Sequence, residues 1–359
     1  MALTERCANS KQLKDWSEKK FGRVITEEEL IMRTDPIWPY KHPLGYADPK
    51  DEDYCMEGAV ELHAHGSPAA WQSEGRANFF DTALACSEAK YKAIVFKDQD
   101  CPSYSMAGTV QRALDFRAEE LAKRGEEFTP CKVSGSITLD KADGGLNVAG
   151  VQKALMYDGF CKEVFLPCQD SALQQALFGD DTKGIYVSDL KGTLVPEMVK
   201  ILDMIAEYND NSKGDTIALA TCHVFNEEKY DISKYVHDRG MKVPIVHDHI
   251  TQEMTQLTTE EALQLIDLGT YVEICANSTV PWTSMMNWIV AWDYNINMTK
   301  ELLKARGPEH ICLITDSGLS GYTETEGMRM LIRGLLKNGV AVEDIKYMAG
   351  AAPASALGL

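Results

Sequence analysis

From Gly58 onward the sequence keeps one rhythm, in which short apolar runs of strand type alternate with longer stretches of helical pattern. The runs are AVELH (59–63), AIVF (93–96), KVSGSITL (132–139), EVFLP (163–167), TIALATCH (216–223), VPIVH (243–247), TYVEIC (270–275) and ICLITD (311–316). Stretches such as PEMVKILDMIAEY (196–208) and TEEALQLIDLG (259–269) lie between them and space their apolar residues as helices do. Strands alternating with helices predict parallel β-α-β units. The runs are nearly continuous in apolar residues, as strands covered on both faces should be. Eight β-α units fill about 250 residues, a length that 58–359 supplies. The fold expected is therefore α/β, a closed (β/α)8 TIM barrel, in preference to an open doubly wound sheet. A further run, GIYVSD (184–189), reads as an insertion between the fourth and fifth strands, half of a small hairpin.

Residues 1–57 read as a polar N-terminal extension with short helices around Lys11–Phe21 and Thr26–Thr34, followed by the loop IWPYKHPLGYADP. It is expected to pack over one end of the barrel or against a second subunit, which makes a homo-oligomer the expected assembly. Composition narrows the partners. A net charge of −18 repels phosphate backbones and anionic lipid, which excludes nucleic acid and membranes and leaves a small-molecule substrate. The ten cysteines form no CxxC pair and no regular framework, so reduced, mostly buried thiols in a cytoplasmic enzyme are expected. The first residues are charged, without the apolar core of a signal peptide, and no window approaches 18 consecutive apolar residues. Neither GxxxxGK[ST] nor GxGxxG occurs, and no GxSxG elbow marks a serine nucleophile.

The histidines are placed unevenly. Of eight in the chain, five lie at the C-terminal ends of expected strands: His63 and His65 on the first, His223 on the fifth, and His247 and His249 on the sixth. Asp316 ends the eighth. In a barrel this is the rim that carries chemistry. Residues i and i+2 of a strand point the same way, so His63 and His65 converge on one side and suit a shared metal ion. A pair of buried core histidines explains HxH equally well in isolation; the company of His223, His247 and Asp316 favours a site. The main rival role for Asp316 is a helix N-cap ahead of 317–328. In VHDHI, His247 directly follows the apolar run and is the favoured ligand, with His249 as substrate contact or alternative ligand. Cys222 precedes His223 in a strand and should therefore point its thiol to the barrel exterior. His42, His237 and His310 read as structural.

This order, HxH on the first strand, single histidines on the fifth and sixth and aspartate on the eighth, resembles the amidohydrolase superfamily of metal-dependent hydrolases. The resemblance covers nearly all of 58–359. The tail MAGAAPASALGL (348–359) is similar to a frequent ending of that superfamily, with Ala352 in place of its asparagine. The GGLN segment, Gly144–Asn147, looks closest to a poorly characterised branch. The resemblance implies that His63 and His65 bind the more buried ion, and that His223 and the sixth-strand histidine bind a second or orient substrate. It also implies that Asp316 ligates metal and accepts the proton of an attacking, metal-activated water. One or two divalent ions are implied, zinc first, then manganese or iron. The reaction implied is hydrolysis of an amide, often cyclic, or of an ester or lactone. A non-hydrolytic metal enzyme (decarboxylase, hydratase or iron-dependent oxygenating enzyme) and a silent scaffold subunit are the alternatives.

One departure stands out. Many two-metal members carry a carbamylated lysine on the fourth strand, where this chain has PCQDS (167–171). Lys97 instead ends the second strand. It is expected either to be carbamylated and bridge metals, to bind an anionic substrate as an ammonium, or to snorkel to solvent. Arg76, Asn147 and His249 are the expected substrate contacts, with Ser67, Trp71, Glu273 and Asn277 near the same rim; each is also explained as a residue stabilising its own turn.

Overall fold

The computed structural model describes residues 47–359 apart from 71–74, 158, 213–214, 280–287 and 319–322, together with Glu18. The helices expected around Lys11–Phe21 and Thr26–Thr34 lie outside that set. The described residues contain eight strands: β1 Val60–Ala64, β2 Ala93–Phe96, β3 Lys132–Thr138, β4 Cys161–Phe165, β5 Ala218–Ala220, β6 Ile245–His247, β7 Tyr271–Cys275 and β8 Ile311–Ile314. Each pairs with the next in parallel, in the order β1 to β8. A parallel bridge between Ala64 and Ser317 brings the last strand back to the first, and the His65 amide donates to the Ser317 carbonyl at 2.8 Å. The chain is thus a (β/α)8 barrel, as the apolar rhythm predicts. The run 184–189 is no strand; single bridges, Ser171 with Ile185 and Ser188 with Leu194, tie it down as a short insertion.

Helices fill the outer layer for the reasons their sequences state. Pro196 opens Pro196–Asn211 at the first turn, where its missing N–H costs nothing. Thr258 and Glu261 form a capping box on Thr259–Asp267, as do Thr323 and Glu326 on Glu324–Lys337. Asp316 is therefore not a helix cap. A helix absent from the sequence expectations, Pro49–Met56, packs on the barrel wall, where Arg333 grips Glu52 through two nitrogens at 2.6 and 2.7 Å.

The register of β1 decides where the chemistry points. Val60 and Leu62 pack with Val95, Phe165 and Ala220, whereas Ala64 packs with Phe96, Phe79 and Ala83 in a different cluster. Strict alternation would keep residues 60, 62 and 64 on one face. The pairing Val60–Ala93, Glu61–Ile94, Ala64–Phe96 shows the irregularity, one extra β1 residue between Glu61 and Ala64. That bulge re-aims the strand end, and His63 and His65 face the barrel mouth because of it.

Candidate metal centre

The mouth is a cavity of about 240 Å³ whose lining includes His65, Lys97, Cys168, His223, His249 and Asp316. A larger groove of about 310 Å³ between Tyr230 and Leu265 contains no histidine or cysteine. Each of these six residues lies at or just beyond a strand end. His249 (φ 33°) and Asp316 (φ 50°), and Cys222 (φ 49°) beside them, hold left-handed backbone that is unfavourable for residues with a Cβ. Such conformations cost about 1–3 kcal/mol each and persist where surrounding structure enforces them, commonly at functional sites.

Two imidazoles meet one carboxylate. His63 Nε2 lies 3.3 Å and His65 Nε2 3.0 Å from Asp316 Oδ1. Asn277 donates to the other oxygen of Asp316 at 2.8 Å. Burial opposes the charge of Asp316, but His63, His65 and Lys97 outweigh it and hold the carboxyl well below the usual range. Burial, then the Lys97 ammonium, keeps His63 neutral far below the ordinary imidazole value. His63 Nδ1 lies 3.4 Å from Asp248 Oδ1 and 3.5 Å from Glu273 Oε2, which favours the proton on that nitrogen and leaves Nε2 as the donor facing the mouth. A buried His63 with carboxylates at its far nitrogen, and a buried His65, beside an ionised aspartate fit a divalent cation. Beneath them the carboxyls of Glu163, with no hydrogen-bond partner at either oxygen among the described residues, and of Glu273 are pushed well up by burial.

The sixth-strand assignment needs correcting. His247 turns outward, with Nε2 3.2 Å from Ser233 Oγ and 3.1 Å from Thr270 Oγ1, and Nδ1 3.4 Å from Thr221 Oγ1. It is caged by hydroxyls behind the sheet and, among the described residues, is grouped with no other candidate ligand. His249 enters the mouth instead, its ring 5.6 Å from that of His63 and 5.0 Å from that of His223, with Nδ1 2.8 Å from Thr255 Oγ1. Strand geometry ends at His247, and the left-handed turn at His249 swings its side chain inward.

One further expectation fails, and one of the three readings of Lys97 is excluded. Cys222 does not face outward: its sulfur lies 3.1 Å from Lys97 Nζ, because β5 ends at Ala220 and the positive φ breaks the alternation. Lys97 does not snorkel. It is 2% exposed, with Nζ 3.0 Å from His63 Nε2 and 4.8 Å from the centre of the Phe165 ring. Burial works against its ammonium, but Cys168, Cys222, Asp248 and Asp316 hold it well above the ordinary value.

The expected substrate contacts divide. The Asn147 side chain accepts from Gly150 N at 3.0 Å and donates to the Asp143 carbonyl at 2.9 Å, so its amide is used up in its own turn. Arg76 lies beside the mouth, with Nη1 3.5 Å from the Gly66 carbonyl, and its buried Nε and Nη2 have no hydrogen-bond partner among the described residues. Trp71 and His42 lie outside the described residues. His237 is exposed, and His310 bonds the Thr270 carbonyl at 3.0 Å ahead of β8.

Sequence reasoning passed over Cys168, Asp140 and Asp248. Asp140, just past β3, accepts from the amides of Cys168, Gln169 and Asp170 at 2.8, 3.1 and 3.0 Å and so pins the loop after β4. Cys168 sits 3.5 and 3.6 Å from the two ring nitrogens of His223. A thiol in the place of the missing lysine, at the end of a barrel strand, was the clue available in PCQDS.

Solved structures share this fold. The probable dipeptidase PvdM from Pseudomonas aeruginosa superposes with a TM-score of 0.56 at 11% identity, over 87% of this chain and 98% of its own. An amidohydrolase from Pseudomonas aeruginosa gives 0.53 at 10% identity, over 85% and 97%. The organophosphorus hydrolase from Deinococcus radiodurans gives 0.51 at 11% identity, over 85% and 93%. At such identities the likeness is one of fold. Among curated proteins nothing matches the sequence. The profile of one family of unknown function, DUF6282, matches residues 58–273.

Proposed function

Since the chain belongs to DUF6282, a family of unknown function, we propose its activity from its own site: a metal-dependent hydrolase cleaving an amide, ester or lactone bond of a small anionic molecule. The observation that carries this reading is the approach of His63 Nε2 and His65 Nε2 to the single oxygen Asp316 Oδ1, at 3.3 and 3.0 Å, inside the mouth. The names of the similar structures, a probable dipeptidase, an amidohydrolase and an organophosphorus hydrolase, support it.

His63, His65 and Asp316 would hold the ion, and their nitrogen and carboxylate donors suit zinc first, then manganese or iron. A divalent ion there would lower the pKa of a bound water to about 7 and polarise a carbonyl. The chain's own groups do the rest. Asp316, ionised and oriented by Asn277, takes the proton of the attacking water and passes it to the leaving group. His249, kept neutral by burial and by His223, is steadied through Thr255 and hydrogen-bonds the substrate. Lys97 acts as a buried ammonium at the floor, and Arg76 offers the Nε and Nη2 that have no partner among the described residues to a substrate carboxylate or phosphate. A mouth of about 240 Å³ is smaller than the roughly 300–1,000 Å³ of pockets for drug-sized ligands, which keeps the substrate small.

The test is elemental analysis of natively purified protein together with assays on dipeptides, cyclic amides and lactones. At least one divalent ion per chain is expected, and His65→Ala and Asp316→Asn should each lose metal and about a hundredfold or more of activity. Well under one ion per chain, with both variants retaining every measured activity, overturns the reading.

A further inference from the structure

We propose that the mouth carries a second, sulfur-rich metal seat, in which Cys168, Cys222 and His223 bind one thiophilic divalent ion beside the histidine–carboxylate cluster. The resemblance implies His223 at a second ion together with the sixth-strand histidine; the seat inferred here takes Cys168 and Cys222 instead, and it stands or falls independently of the hydrolase reading.

Donor geometry is the first support. The two sulfurs and a ring nitrogen of His223 all lie within 4.8 Å of one another. A tetrahedral zinc ion with bonds of about 2.3 Å to sulfur and about 2.0–2.1 Å to nitrogen sets those two donors roughly 3.5 Å apart. Cys168 Sγ lies 3.6 Å from His223 Nε2.

Preorganisation is the second. His223 Nδ1 lies 3.1 Å from the side-chain oxygen of Gln174, an acceptor, which favours the proton there and frees Nε2 to donate its lone pair. The Asp140 carboxylate holds the Cys168 backbone, and the Cys222 amide donates to Asp248 Oδ2 at 2.5 Å while its φ of 49° turns the thiol inward. Each donor is fixed by a group that does not belong to the seat. Both thiols are buried, at 2% and 0% exposure, which a freely reactive surface cysteine would not be.

Three protein donors leave a fourth position open, the arrangement of catalytic rather than structural zinc sites. Cys168 and His223 line the cavity, so that position opens toward substrate. Lys97 Nζ, 3.0 Å from His63 Nε2 and 3.1 Å from Cys222 Sγ, stands between the two clusters. Donor chemistry also separates them. Thiolates select zinc, cadmium and other soft ions, whereas magnesium and manganese prefer oxygen donors.

The test titrates full-length, reduced, chelator-stripped protein with Cd²⁺ and separately with Co²⁺. Thiolate-to-metal charge-transfer absorption should appear and saturate at one ion per chain, and Mn²⁺ should not elicit it. Cys168→Ser and Cys222→Ser should each abolish the band, while Cys101→Ser, at the exposed thiol, and Asp316→Asn should keep it. Loss of metal at Asp316→Asn alone would therefore report on the other cluster. Gln174→Ala should weaken Cd²⁺ binding by about 10–100-fold. The wild-type titration decides the matter even where a variant fails to fold. No band in wild-type protein overturns the proposal. So does a band that survives in both serine variants, or a Cys168–Cys222 disulfide in protein that takes up no ion.

Discussion

The chain contains the pattern His-x-His twice, at 63–65 on β1 and at 247–249 on β6, and the two copies end in opposite arrangements. On β1 both imidazoles enter the mouth and meet Asp316. On β6 the first histidine is buried behind the sheet among Ser233, Thr270 and Thr221, and only the second reaches the mouth. Plain alternation would send neither pair where it goes. The first is turned by a bulge between Glu61 and Ala64, the second is split by the left-handed backbone at His249. A spacing of two therefore fixes a shared direction only while the strand persists. The chemistry of this protein sits where the strands stop.

Substitution within the second pair probes this contrast most strongly. His249→Ala should lower activity by about a hundredfold or more, whereas His247→Ala should leave metal content and kcat unchanged. The latter should instead lower stability by about 1–3 kcal/mol, because it strips a hydrogen-bond partner from buried hydroxyls. Steady-state kinetics and urea denaturation of both variants give the answer; loss of metal from His247→Ala would break the distinction.

The next effect tests the support of the first pair. A Cβ at Gly318, φ +86°, would overlap the carbonyl of His65. Gly318→Ala should destabilise the fold by more than about 1 kcal/mol, since its backbone is also unfavourable for a side chain, and should raise the dissociation constant for metal. A fully stable variant with normal metal content would show that the β1 end is not held by this contact.

The last effect concerns the acid layer behind β1. Burial pushes the Glu324 carboxyl up to about 8. The unfolded value is about 4.3, so the folded chain holds the extra proton between these values and its stability falls as pH rises through that window. Glu324→Gln removes the penalty. Its denaturation midpoint relative to wild type should improve between about pH 5.5 and about pH 7.5, by up to roughly 1.4 kcal/mol per pH unit. A pH-independent difference would place that carboxyl in water.

Much was legible before any coordinates. The barrel followed from eight apolar runs, each of which contains or overlaps an observed strand. Their positions at strand ends also put His63, His65, His223, both sixth-strand histidines and Asp316 at one rim, of which His247 turns away from the mouth. What failed did so for one local reason. His247 was favoured over His249, and Cys222 was sent outward, by extending strand alternation past the last paired residue. Asn147 was offered to a ligand because a glycine turn looks the same whether its asparagine faces a substrate or caps the next helix. Cys168 drew no attention because a lone thiol acquires meaning only from neighbours distant in sequence.

The sequence by itself determined the order of strands and helices, since hydrophobic periodicity is a local property that each segment carries alone. It also determined which residue types reach the C-terminal rim, because a strand's end is written in its own apolar run. Only the tertiary structure decided which of those side chains meet. That choice rests on a one-residue bulge, on three left-handed backbone turns, and on carboxylates and amides donated by other strands. Each of these is stabilised by packing between segments far apart in the chain, so no stretch of sequence encodes it alone.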